Sequence, residues 1–265
     1  MSSLPPDEFA VLPDDGFVPP DPDEPPPVEL WSAVGDVTPW GTLAVLLSWA
    51  AIFLWFAARG DFGYRDALIA WGANVAGRPP LETAWRLVAS TFLHAGAAHV
   101  FFNATSLLIF GPTVERLFAR GSFWIVYALG GAAGSLGSLL WREFRERPDS
   151  LSVGGSGAIF ALGGAVLIAA WRLRHRLAVG RARALAAALL FLLVNGLVSG
   201  FERLGTDNAG HAAGLVGGAL LGGLLPLHDR LSGRTSRWTG LAGVLALLTL
   251  VATLALAALR GVPRS

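Results

Sequence analysis

No cysteine occurs among the 265 residues, so a disulfide or a thiolate site is excluded and the chain carries no mark of its redox compartment. Lysine is absent too: all 20 basic residues are arginine, which reflects genome composition as readily as mechanism. Residues 1–39 lack any basic residue, yet they hold ten of the sixteen prolines and nine of the nineteen acids. Such a stretch buries too little apolar surface to offset its ordering entropy and reads as a disordered acidic tail. It has no basic n-region and the first apolar run begins only near Trp40, so it is not a secretory signal. A solvated leader is the simplest role for it, a partner-binding segment the alternative. The period-two alternation of a transmembrane barrel is missing. No carboxylate cluster accompanies the five histidines, so neither a metal site nor any other cofactor is expected.

What is there is apolar. Hydrophobic residues make up 53% of the chain and the mean hydropathy is +0.54. Apolar runs recur at about 40–58, 96–113, 122–141, 156–171, 184–200, 209–227 and 239–259, most of them near the ~20 residues that a bilayer core requires. Helices satisfy their own backbone groups in lipid, so the pattern predicts an all-α polytopic membrane protein with seven spans in one bundle. The net charge of +1 says nothing of partners; lipids are the expected environment and no nucleic acid is expected. The loop with Arg172, Arg174, Arg176, Arg181 and Arg183 is the most basic and is assigned to the cytoplasm. The N-terminal tail is then cytoplasmic and the C-terminus outside. Arg116, Arg120, Arg230, Arg234 and Arg237 fall inside, while Arg59, Arg65, Arg78 and Arg86 fall outside. The full tally is even, ten arginines to a side, so the strongest loop decides.

The stretch Val153-Gly154-Gly155-Ser156-Gly157-Ala158 sets one hydroxyl among glycines at the mouth of the fourth span. A helix beginning at Ser156 presents free N–H groups and its positive dipole end beside that hydroxyl, a setting that stabilises an oxyanion. Taken alone, Ser156 is as well explained as an N-cap. In the second span His99 and Asn103 are spaced i, i+4 on one face, after His94 at the span's opening. Polar groups at membrane depth point into a bundle, here as an interhelical clip or as part of a site. Glu115 pairs with an arginine or caps a loop. Between the first two spans, residues 67–71 and 84–88 suit the headgroup level; Arg86 there is a scaffold residue, or else binds phosphate. The third span offers glycines for close approach, and Arg142–Asp149 follow as an exposed mixed-charge loop.

The sixth span repeats glycine every four residues, at Gly210, Gly214, Gly218 and Gly222, and His211 borders this smooth stripe with Gly214 at i+3. The fourth span has a matching side at Ser156, Phe160 and Gly163 or Gly164. Packing the two sides together sets Ser156 and His211 at one outer depth, the minimum for an activated nucleophile. Nothing supplies a carboxylate for a triad. Asp207, four residues before His211, is expected to be a cap.

Residues from about Trp40 to Leu227 resemble the rhomboid intramembrane serine proteases. Trp85-Arg86 resembles that family's Trp-Arg element in the first loop. His94 with His99-x-x-x-Asn103 resembles its second-helix histidines and asparagine. Glu115-Arg116 resembles its acid motif, although Ala119 stands where glycine is usual. Gly154-Gly155-Ser156-Gly157 resembles its Gly-x-Ser-Gly motif, and His211-Ala212-Ala213-Gly214 its base motif. The resemblance implies a six-helix core over 40–227 plus one added C-terminal helix within 228–265, and a Ser–His dyad that cleaves transmembrane or membrane-proximal segments of membrane proteins. It makes Ser156 the nucleophile and His211 the base, with His99, Asn103 and the Ser156 N–H as oxyanion donors. Gly154, Gly157, Phe160, Gly214, His94, Arg86 and Glu115 are supporting residues. Phe160 replaces a family tyrosine that stacks on the base, and Gly210 replaces an alanine before the histidine. A bacterial plasma membrane is the expected location. A catalytically silent, client-binding relative and a transporter are the competing readings; the latter leaves the Gly-Gly-Ser-Gly placement unexplained. A soluble α/β-hydrolase is excluded by the spans and by Ala158, which breaks Gly-x-Ser-x-Gly.

Overall fold

The computed structural model describes residues 37–59, 65–147, 149–174, 184, 187–191, 196, 207–233 and 236–261. Residues 1–36 of the acidic tail and most of the expected fifth span, with Asn195, lie outside the described residues, as do His175, Arg176, Arg181, Arg183 and Arg234.

Long apolar helices form where the apolar runs lie. They are α1 (Trp40–Arg59), α5 (Ala97–Leu117), α6 (Ser122–Phe144), α7 (Ser156–Arg172), α8 (Asn208–Leu224) and α10 (Trp238–Gly261). Of these α1, α5, α6 and α10 are long and apolar enough to cross a membrane, while α7 and α8 are 17 residues each. Short helices α2 (Arg65–Ala70), α3 (Pro80–Thr83) and α4 (Arg86–Ala89) fold the first connection, and α9 (Asp229–Ser232) precedes α10. Leu47, Phe101, Leu129, Leu220, Leu245 and Leu259 project from the outside of the bundle. Water would penalise such a surface; hydrocarbon does not. Trp49, Leu107, Phe110, Tyr127, Ile159 and Leu162 fill the interior between α1, α5, α6 and α7.

The centre of the bundle is a backbone-to-backbone contact of α6, α7 and α8. On α8 the buried row Gly210, Gly214, Gly218, Gly222 faces α7. A side chain at Gly214 would strike the carbonyl oxygen of Gly157, one at Gly218 that of Ala161, and one at Gly222 would come within 2.8 Å of Ala165 Cα. The α7 row is therefore Gly157, Ala161 and Ala165, one residue round the helix from the side expected. Gly164 meets the carbonyl of Leu215 beside this row, while Ser156 and Phe160 face His211 itself. The helix α6 closes in from the other side, where Gly134 leaves 3.0 Å to Gly157 Cα and to the Gly210 oxygen for any added Cβ. A π turn over Val126–Gly130 lies directly before this part of α6.

One strand pair departs from an all-helical sketch, and two charged residues take places other than those expected. Strand β1 (Asn74–Val75) pairs antiparallel with β2 (Leu151–Ser152), Asn74 opposite Ser152, and so ties the first connection to the loop leading into Ser156. Arg142 is not a free charge in a loop but a half-buried residue of α6. Its Nη1 donates to the carbonyls of Asn74 and Ser150 at 2.9 Å each, fixing both strands. Glu115 reaches across to the start of α1. It accepts from the Gly41 N–H at 2.8 Å and from the Thr42 N–H and hydroxyl at 3.1 and 2.6 Å. The carboxylate thus caps the first turn of α1 and complements its dipole.

Candidate active site

Ser156 is the first residue of α7, where backbone N–H groups have no intrahelical acceptor. The loop before it requires glycine twice. Gly154 takes φ +124°, and a Cβ there would lie 2.5 Å from His99 Nε2 and 3.5 Å from Asn103 Nδ2. Gly155 lies on the ring of Trp49, which leaves no room for a side chain. The Gly154 N–H donates to the Ser90 carbonyl at 2.9 Å, which pins this loop to the first connection.

Across the α7–α8 contact, Ser156 Oγ and His211 Nε2 are 2.9 Å apart. With Nε2 unprotonated the serine hydroxyl donates to it. The Phe160 ring lies flat on the imidazole, centroids 4.3 Å apart and planes 7° from parallel. The lost tyrosine hydroxyl thus leaves the stacking intact. His211 is buried while Ser156 is half-buried. Among the described residues no carboxylate is hydrogen-bonded to this imidazole. Asp207 is the N-cap of α8, its Oδ1 accepting from the Gly210 N–H at 3.0 Å and its Oδ2 from Ser152 Oγ at 2.8 Å.

His99 and Asn103 converge on the same loop, both beside Gly154. Asn103 is buried, with its Nδ2 3.0 Å from His94 Nε2. His94 is held edge-on against Trp49, centroids 4.9 Å apart, and against His99 at 5.1 Å. A chain of rings, Trp49–His94–His99, thus forms the wall under the Gly154–Gly155 turn. Trp49 is anchored in turn by its Nε1 donating to the Thr91 carbonyl at 3.1 Å. Sequence reasoning missed Trp49, whose place mid-run in the first span looks like any lipid-facing aromatic.

Arg86 and Glu115 lie in the framework. Arg86 Nη1 donates to the carbonyls of Ile69 and Ala73 at 2.6 and 3.1 Å, and its guanidinium stacks 4.7 Å from the Trp85 ring centroid. Burial, with like charge from Arg78 and Arg260 added, holds its pKa below the ordinary arginine value, and Glu82 opposes that shift. Both carbonyl contacts brace the first connection. Arg260 of α10 stacks on the other partner of this pair, 5.2 Å from the Trp85 centroid, so the last helix grips the same connection.

Fold and site together define an integral, polytopic membrane protein with a serine and a histidine in hydrogen-bond contact inside its helical bundle. The chain belongs to the rhomboid family: residues 81–227, more than half of its length, match the family model of the Rhomboid domain. It is 31% identical to Rhomboid protease GluP of Bacillus subtilis (strain 168) over 167 residues, 63% of this chain and 31% of that protein. It is 31% identical to YdcA of the same strain over 179 residues, 67% of this chain and 84% of that one. RHOMBOID-like protein 7 of Arabidopsis thaliana is 32% identical over 166 residues, 61% of this chain and 48% of that one. The chain therefore spans less than half the length of the first and third of these relatives.

Proposed function

We propose that this protein is an intramembrane serine endopeptidase that cuts transmembrane or membrane-proximal segments of other membrane proteins. The observation that carries the reading is the 2.9 Å contact between Ser156 Oγ and His211 Nε2, between two helices whose glycines let them meet. In the reaction, Ser156 Oγ attacks the scissile carbonyl carbon while His211 Nε2 takes its proton. The carbonyl oxygen becomes an oxyanion, stabilised by the Ser156 N–H and by the His99 and Asn103 side chains. Collapse breaks the C–N bond, His211 hands the proton to the leaving amine, and water then hydrolyses the acyl-enzyme by the same route. Among the described residues no carboxylate is hydrogen-bonded to the His211 ring, and the stacked Phe160 ring holds the plane of the imidazole.

The protease core is residues 40–227, preceded by an acidic cytoplasmic tail and followed by one extra helix, with the dyad toward the outer face of a bacterial plasma membrane. A catalytically silent client-binding role is the second reading; the presence of both dyad members argues against it. Labelling of the purified protein by a fluorophosphonate probe decides between them. We expect covalent labelling of the wild type and none of Ser156→Ala or His211→Ala, since dyad members act as a unit. Equal labelling of Ser156→Ala would overturn the assignment.

A further inference from the structure

Two hydrogen-bonded pairs cross between the segments that carry the dyad, and they stand in the same register. Ser156 meets His211, and four residues earlier on each segment Ser152 meets Asp207. We propose that Asp207 and Ser152 form a positioning bridge that sets the separation of nucleophile and base; this rests on the dyad reading above.

The bridge joins the two elements that matter. Ser152 is the last residue of β2, and only Val153, Gly154 and Gly155 separate it from the nucleophile. Its own strand is immobilised from behind by pairing to Asn74 and by Arg142, which holds the Ser150 carbonyl. Asp207 is the N-cap of α8, and its backbone carbonyl accepts from the His211 N–H at 3.0 Å in the helix's first turn. One carboxylate therefore ends two chains of contacts. Oδ1 fixes the helix that carries the base, and Oδ2 fixes the strand that carries the nucleophile. A serine cap offers a single oxygen, whereas the carboxylate offers two, one for the Gly210 N–H and one for Ser152. Glycine at 210 fits this arrangement, because a Cβ there would press to 3.1 Å on the Asp207 carboxylate. The contacts made by Asn74, Arg142 and Gly154 tie β2 and the glycine-rich turn to the first connection and to α6, but not to the start of α8. Without the bridge that one join is loosened, and a misplacement of about 1 Å costs roughly 10²-fold in rate.

The test is kinetic, on the full chain in detergent or liposomes with a transmembrane substrate. Ser152→Ala removes the bridge and leaves the cap intact. We expect kcat to fall about 10-fold or more with KM unchanged, and with little change in Tm. Ser152→Thr keeps the hydroxyl and should restore kcat. Asp207→Ala removes bridge and cap together, so it should lose at least as much kcat and also some stability. In the double variant Ser152→Ala with Asp207→Ala the kcat losses should not multiply, because either single change already removes the bridge; the double variant should match Asp207→Ala alone. Wild-type kcat in Ser152→Ala would overturn the bridge, and so would losses that multiply, or a defect confined to KM or Tm. If Ser156→Ala cleaves as fast as wild type, the dyad reading fails first, and that result is separate from any effect at Ser152.

Discussion

At the scale of single residues, the site divides the labour of holding an imidazole among groups that never react. Distance to the serine is set by the α7–α8 contact together with the proposed Ser152–Asp207 bridge, and the plane of the ring by Phe160, which lies 7° from that of His211. The proposed oxyanion side is built differently, from a buried amide leaning on a histidine. Asn103 Nδ2 spends one contact on His94, 3.0 Å away, and this keeps the amide from rotating out of the site. Asn103→Ala removes one donor and leaves His99 and the Ser156 N–H. Loss of a single oxyanion donor costs on the order of 10²-fold in rate. The expected result is a turnover lower by about that factor on a slow, chemistry-limited substrate, and still measurable where Ser156→Ala shows none. Full activity in Asn103→Ala would reduce the residue to a clip between its helix and His94.

At the scale of elements, glycine spacing on α8 decides how near the two halves of the site come. Gly214→Val forces a branched side chain onto the Gly157 carbonyl, one residue along from Ser156. Gly222→Val forces one against Ala165 Cα at 2.8 Å, three turns below the dyad. Overpacking of this kind costs ~1–3 kcal/mol at either place. Activity per folded molecule should nevertheless fall about 10²-fold in Gly214→Val and much less in Gly222→Val, since only the first displaces reacting atoms. Thermal unfolding alongside cleavage rates checks this; equal activity losses at equal stability would show that the stripe does not set the dyad. The stripe was legible in the sequence because its period matches a helix face. Its partner row was not, because α7 carries small residues on several faces and Gly157, Ala161 and Ala165 differ from the expected row by one position. The β1–β2 pair also escaped reading. Two residues per strand leave no periodicity, and the pairing is a matter of backbone and of Arg142. The Glu115 cap and the Asp207 bridge join residues 73 and 55 positions apart, and no local pattern announces such contacts.

At the scale of the whole molecule, the bilayer made the spans readable, since a fixed hydrocarbon thickness demands apolar runs of near-constant length. It did not make orientation equally readable, because arginine is spread evenly between the two sides and one loop decides. The chain's lack of cysteine makes the question directly measurable, as any introduced thiol is the only one present. Three single variants suffice: Ser3→Cys in the acidic tail, Arg145→Cys at the exposed end of α6, and Arg237→Cys at the start of α10. With the N-terminus in the cytoplasm, Arg145 lies outside, on the same side as the start of α7 and the dyad. A membrane-impermeant maleimide added to intact cells should then label Arg145→Cys alone, and should reach the other two only after permeabilisation. The opposite pattern would turn the protein over and put Ser156 near the cytoplasmic face. Substrates would then have to present their scissile segment from inside the cell, and the basic loop after α7 would lie outside, against the charge rule that chose this orientation.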